Sequence, residues 1–136
     1  MFDEPGIYVL DRNELLAAEL DLHEAGWRVF VLSRDIDSAA AFFEAVVDCV
    51  PLNPPHSGGV HWDALSDSLW GGLDEVPDSR IAIIWPNALV LADTEPDNYE
   101  IAVAVLRDVA AELADPGATG GDSITKLVVL LGGSLL

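Results

Sequence analysis

Positive charge is what this chain has least of. Its 136 residues carry 6 Lys and Arg against 24 Asp and Glu, a net charge of -18. A field of that sign repels nucleic acid and anionic lipid and attracts cations or basic proteins over a Debye length of roughly 8 to 10 Å. Nucleic-acid and membrane-surface binding are therefore excluded as expectations, and a basic partner is favoured. Cysteine is nearly absent as well: Cys49 is alone, so no disulfide framework can form within one chain, and a reducing, cytoplasmic compartment is expected. The acidic neighbour Asp48 disfavours a thiolate, which makes Cys49 a small hydrophobe rather than a reactive group. No run of ~20 apolar residues is present to span a bilayer. The opening MFDEPGIYVLDRNE has neither a basic n-region nor a long apolar segment, so no signal peptide is read. HExxH, Walker and nucleophile-elbow motifs are missing, and Ser66 and Ser68 stand among acids without a nearby histidine base. The expectation is a protein that is not an enzyme and needs no cofactor and no metal.

What is present is a core. The hydrophobic fraction is 51%, and the length suits one domain that closes without staples. Residues 27–32 (WRVFVL), 81–85 (IAIIW) and 126–131 (KLVVLL) are short, nearly continuous apolar runs, the pattern of strands covered on both faces. Residues 7–10 are a shorter run, either an edge strand or a surface segment. Helices are expected between the runs. Asp11 and Glu14 resemble a capping box before the stripe Leu15, Leu16 and Leu20, with Gly26 as terminator. Asp35 or Asp37 would cap a second helix carrying Ala39, Phe42, Phe43, Val46 and Val47. Pro51, Pro54, Pro55, Ser57, Gly58 and Gly59 make an irregular loop. After Pro86, an acidic linker over residues 92–98 would lead, with Asp97 or Asn98 as cap, into a helix carrying Ile101, Val105, Val109 and Leu113; Pro116, Gly117, Gly120 and Gly121 make the following turn. Strands separated by helix-bearing segments pair in parallel. The expected fold class is α/β, a small three-stranded parallel sheet packed on helices.

The stretch HWDALSDSLWGGL, residues 61–73, carries the chemistry. At about 100° per residue, Trp62, Leu65 and Leu69 fall on one side while Asp63, Asp67 and Trp70 cluster on another. Like charges at i, i+4 lie about 5 to 6 Å apart at Cβ and weaken a helix slightly, so the helix accepts a local cost. Periodicity alone leaves two readings open, a built acidic face or simple solvation in a very acidic chain. Trp70 is either an exposed interface anchor or packing against the next loop. His61 is a helix terminus or a further ligand for a cation. Asp74 falls in the turn after the helix.

The stretch WDALSDSL resembles the inhibitory helix of the barstar family of ribonuclease inhibitors, with its pattern Asp, Ala, Leu, any residue, Asp, any residue, Leu. The preceding glycine-bearing loop, the strand IAIIW ending in Trp85, the later helix with Leu106, Arg107 and Asp108, and the final LVVLL strand follow the family's order. The likeness covers residues 27–131. It implies a barstar-like domain over residues 27–136, preceded by an N-terminal extension, 1–26, that carries the first helix. It further implies that Asp63, Asp67 and Asp108 meet basic active-site groups of a ribonuclease, with Gly59, His61, Ser66 and Trp70 around them. Departures are visible: Ser57, Gly58, Gly59 and His61 stand where the family commonly has an aromatic, a glycine and an asparagine. Ser66 and Gly72 replace aromatics of the family's namesake. They point to a diverged ribonuclease or a related basic toxin.

The resemblance thus implies an intracellular inhibitor that blocks the basic active site of a barnase-like ribonuclease. Two rivals stay open. One is a non-inhibitory barstar-like scaffold or an immunity-type partner of another basic toxin. The other is an enzyme using Asp63 and Asp67 as a carboxylate pair or metal site, which two ligands would leave mostly unfilled.

Overall fold

The apolar runs become strands because each is buried from both sides. The computed structural model describes residues 4–32, 35–56, 58–115 and 124–133. In chain order it contains β1 (Gly6–Leu10), α1 (Arg12–Glu24), β2 (Arg28–Val31), α2 (Ala39–Cys49) and α3 (Trp62–Asp74). There follow β3 (Arg80–Trp85), α4 (Ala88–Thr94), α5 (Pro96–Leu113) and β4 (Lys126–Gly132). The strands form one sheet in the order β1-β4-β3-β2, with every pairing parallel. The α/β class and the parallel sheet agree with the sequence reading. The strand count does not: the sheet has four strands rather than three, because residues 6–10 pair with β4 from Gly6 opposite Val128 to Leu10 opposite Gly132.

Side chains alternate across a strand, so one run serves two cores. Ile81, Ile83 and Trp85 of β3 and Leu127, Val129 and Leu131 of β4 face a large cluster with α2, α3, α4 and α5. Ala82, Ile84, Val128 and Leu130 face the other way, onto Leu15, Ala18 and Leu22 of α1. Helix α1 is held at its start by the expected capping box: the Asp11 carboxylate accepts from Glu14 N, and the Glu14 carboxylate accepts from Asp11 N. Residues 4–26 are thus built into the same sheet and cover its second face. At the lower end of that face, Trp27 is half-buried beneath Arg80 and Lys126, 5.6 and 6.0 Å from its ring centre.

Elsewhere the boundaries shift. The cap of α2 is Ser38, not Asp35 or Asp37; its hydroxyl accepts from Ala41 N at 3.1 Å. A second acceptor comes from far along the chain, since the Glu95 carboxylate takes the Ala39 N–H at 2.9 Å and also holds the Asn98 amide. Residues 88–94, expected to run into an acidic linker, form the two-turn helix α4, and α5 begins at Pro96 with Glu95 rather than Asp97 or Asn98 at its cap position. Proline suits that first helical position because it has no N–H to leave unpaired. The turn expected at Pro116, Gly117, Gly120 and Gly121 lies outside the described residues, as does Ser57.

Leu22 is fully buried between α1 and the sheet, while Leu20 is 66% exposed on the same helix. Leu22→Ala is expected to lower unfolding free energy by about 2 to 5 kcal/mol, and Leu20→Ala to change it by no more than about 0.5 kcal/mol. Urea denaturation separates the two; equal losses would mean that α1 does not seal the sheet.

Candidate functional site

Helix α3 lies in the layer on the large-core face and packs against α5. Its buried side is Leu65, Ser68, Leu69, Gly72 and Leu73, and its exposed side includes Asp63 and Asp67. Trp62, half-buried, seals the start of the helix against Phe42 and Phe43, whose rings lie 5.8 and 4.8 Å from its own.

The pair Gly71 and Gly72 explains how α3 is seated. They lie inside the helix, where glycine is unfavourable by about 1 kcal/mol relative to alanine. A Cβ on Gly71 would overlap the Asn53 carbonyl oxygen, and one on Gly72 the Pro51 carbonyl oxygen. The loop backbone therefore rests on the helix backbone. Two hydrogen bonds fasten it: Asn53 N donates to Ser68 O at 3.0 Å, and the Asn53 side-chain amide donates to the Glu75 carboxylate.

The same loop shapes the entrance to α3. Gly58 and Gly59 have φ of +107° and +77°, in the region that side chains with a Cβ avoid. The His56 Nε2–H donates to Gly59 O at 2.8 Å and closes the turn. His61 occupies the N-cap position of α3, yet its side chain makes no capping bond. Its imidazole lies beside Gly59 instead: a Cβ there would come to 3.0 Å from His61 Nε2.

The structure brings several of the expected residues to one place. Asp63 and Asp67 stand one helical turn apart, exposed, with Ser66 half-buried beside them; Gly59 and His61 are exposed at the helix entrance. Asp108 is exposed on α5, the neighbour of α3. Trp70 departs from the outward placement read from the helical wheel. It is half-buried and packed on the large core, with its indole Nε1 enclosed and unpaired among the described residues. Asp74 also departs, being the last residue of α3 rather than part of a turn. Seven residues beyond Asp67, it returns to the same helix side, a position the turn assignment missed. Among the described residues no group of three or more His, Cys, Asp or Glu side chains is placed to hold a metal ion. No helix among them is long and apolar enough to cross a membrane. Away from the acidic face, burial pushes the Tyr99 phenol above its usual range, its ring 5.9 Å from that of Trp85.

A parallel sheet layered with helices, one of them presenting spaced carboxylates and entered through a glycine loop, defines an α/β protein with an acidic helical face. Residues 27–121 match the family described as Barstar (barnase inhibitor), and the chain belongs to that family. No curated protein and no solved structure matches it. The match begins after α1, so β1 and α1 precede the matched segment, although β1 adds a strand to the sheet and α1 covers its second face.

Gly72→Ala tests the seat of α3. Helix propensity alone would stabilise the variant, whereas overlap with Pro51 O is expected to dominate and cost about 1 to 3 kcal/mol. Thermal denaturation gives the sign directly, and a stabilised variant would place the loop away from the helix.

Proposed function

We propose that this protein is a proteinaceous inhibitor that occupies the basic active site of a barnase-like ribonuclease with the acidic face of α3. The observation that carries the reading is the exposed pair Asp63 and Asp67 on a helix buried along its other side, in a chain of the barstar family. A ribonuclease must hold phosphate with cationic groups, so its active site is a positive concavity. Carboxylates fixed one turn apart can stand in for phosphate there and take charge-assisted hydrogen bonds from Arg and Lys. Asp108 on α5 supplies a third carboxylate, Gly59 and His61 border the entrance, and Ser66 and Trp70 flank the pair. The net charge of -18 steers a basic partner into encounter, and the desolvated pairs at the centre set the rate of release. Such an inhibitor works in the cytoplasm, where it meets a ribonuclease before export, and it needs no catalytic group of its own.

A second reading, an immunity-type partner of another basic toxin or a non-inhibitory scaffold, is favoured by Ser66, a small side chain between the two aspartates, which gives a flatter face than an aromatic would.

Titration against a panel of basic ribonucleases, following RNA cleavage and heat of binding, tests the proposal. Stoichiometric loss of cleavage is expected. Asp67→Ala should weaken binding by about 2 kcal/mol or more, roughly thirtyfold. Asp21→Ala, exposed on α1 behind the sheet, should leave affinity within about 0.5 kcal/mol. Binding without loss of cleavage would favour the scaffold, and equal effects of the two variants would remove α3 from the interface.

A second test uses salt. Raising ionic strength from 0.01 to 0.15 M shortens the Debye length from about 30 to about 8 Å, so the association rate should fall severalfold while the dissociation rate changes little. Stopped-flow kinetics reads both; a salt-independent association rate would contradict steering by the acidic field.

A further inference from the structure

The second face of the sheet is thinly covered. Four strands make a surface roughly 15 to 20 Å wide, whereas a helix with its side chains is about 10 to 12 Å across. Among the described residues α1 is the helix that packs there, through Leu15, Ala18 and Leu22, and Tyr8, Leu10, Trp27, Val29 and Val31 around it stay half-buried. The outer side of α1 is apolar as well, with Leu16 57% and Leu20 66% exposed. At about 100° per residue Arg12, Asn13, Leu16, Leu20, His23 and Glu24 share one sector of about 120° turned away from the sheet, and each of them is exposed. Glu14, Glu19 and Asp21 fall outside that sector. It is therefore neutral overall, Arg12 offsetting Glu24, in a chain of net charge -18. Neither of these two side chains has a hydrogen-bond or ion-pair partner among the described residues.

We propose that this side of α1 docks a second copy of the chain, the two α1 helices packing antiparallel about a twofold axis at the level of Ala18. The sequence is self-complementary in that arrangement. Leu16 of one copy lies opposite Leu20 of the other, and Arg12 opposite Glu24, because both pairs are spaced evenly about residue 18. A twofold contact repeats each pairing at both ends and closes on itself. Parallel packing would instead set Arg12 against Arg12 and Glu24 against Glu24. Copies of so acidic a chain repel one another over most of their surface, and this neutral, apolar sector is where their contact costs least. A basic protein finds no net negative charge there to draw it. The contact is one 13-residue helix per copy, about 20 Å long, at the small end of stable interfaces, so a dissociation constant on the order of micromolar is expected. Helix α3 lies on the other side of the sheet, so the dimer leaves Asp63 and Asp67 open, and the inference does not depend on the function proposed above.

Sedimentation equilibrium of the full chain in about 0.15 M salt, where the Debye length is short, tests the proposal over roughly 1 to 500 µM protein. A reversible equilibrium between monomer and dimer is expected. The double variant Leu16→Gln/Leu20→Gln should stay monomeric across that range and keep the melting temperature of the dilute native chain, since both positions are exposed. Arg12→Glu and Glu24→Arg each put like charges opposite one another and should weaken the dimer by about tenfold or more. Both variants should fold, because an acid suits the first turn of a helix and a base the last. An equimolar mixture of the two single variants should regain the native affinity, as each copy then meets opposite charges at both ends of the antiparallel pair. A chain that is monomeric throughout, or a dimer that survives Leu16→Gln/Leu20→Gln, would overturn the proposal. A mixture no stronger than its components would overturn the antiparallel register, and a dimer broken by Asp67→Ala would move the contact to α3. The small effect of Leu20→Ala stated for urea denaturation is that of the dilute monomer.

Discussion

No side chain fits between α3 and the loop that precedes it. The carbonyl oxygens of Pro51 and Asn53 occupy the space that a Cβ on Gly72 or Gly71 would need, and the Asn53 to Ser68 backbone bond closes the contact. From this approach the arrangement of the acidic surface follows. A roll of the helix would drive its own backbone into the loop, so this contact sets which side of α3, the one with Asp63 and Asp67, faces solvent. Asn53 fastens the loop to Ser68 and Glu75 of that helix end, and the His56 to Gly59 hydrogen bond closes the turn that leads to His61. Rigidity is the condition for carboxylates to substitute for phosphate, because a mobile charge loses in ordering what it gains in attraction.

The sheet supplies the support. Its central strands are apolar at nearly every position because both faces are covered, by α1 on one side and by the α2, α3, α4 and α5 layer on the other. The second cover comes from residues that precede the family match, which begins at residue 27. Without α1, the face formed by Ala82, Ile84, Val128 and Leu130 would meet water. The same coupling reaches α2 through Glu95, whose carboxylate takes the first amide of that helix from across the fold.

Much of this was legible in the residues. Continuous apolar runs identified three strands and required a cover on each face, and the Asp11 and Glu14 box located α1. The fourth strand was ambiguous because five residues with one exposed valine resemble a surface segment until β4 is there to pair with. Asp35, Asp37 and Ser38 compete for the cap of α2 within four positions, and it is the Ser38 hydroxyl that accepts from Ala41 N. Helix α4 was hidden by its brevity and by Pro86. In the candidate site, the exposed aspartates follow from helical period, whereas the burial of Trp70 does not: a long aromatic can fold back onto the core from a position whose Cα faces outward. The role of Gly71 and Gly72 is not legible in the sequence, since it depends on how the backbone at Pro51 and Asn53 folds back onto the end of α3.

On the function proposed above, a basic protein is gripped by the exposed face of α3, by the loop before it and by Asp108 of the neighbouring helix α5. Hydrogen exchange of the chain, alone and saturated with a ribonuclease it binds, tests this most directly. New protection is expected in residues 58–70 and around Asp108, with α1 and β1 unchanged. Protection confined to α1, β1 or the start of β2 would place the partner on the opposite side of the sheet and contradict it.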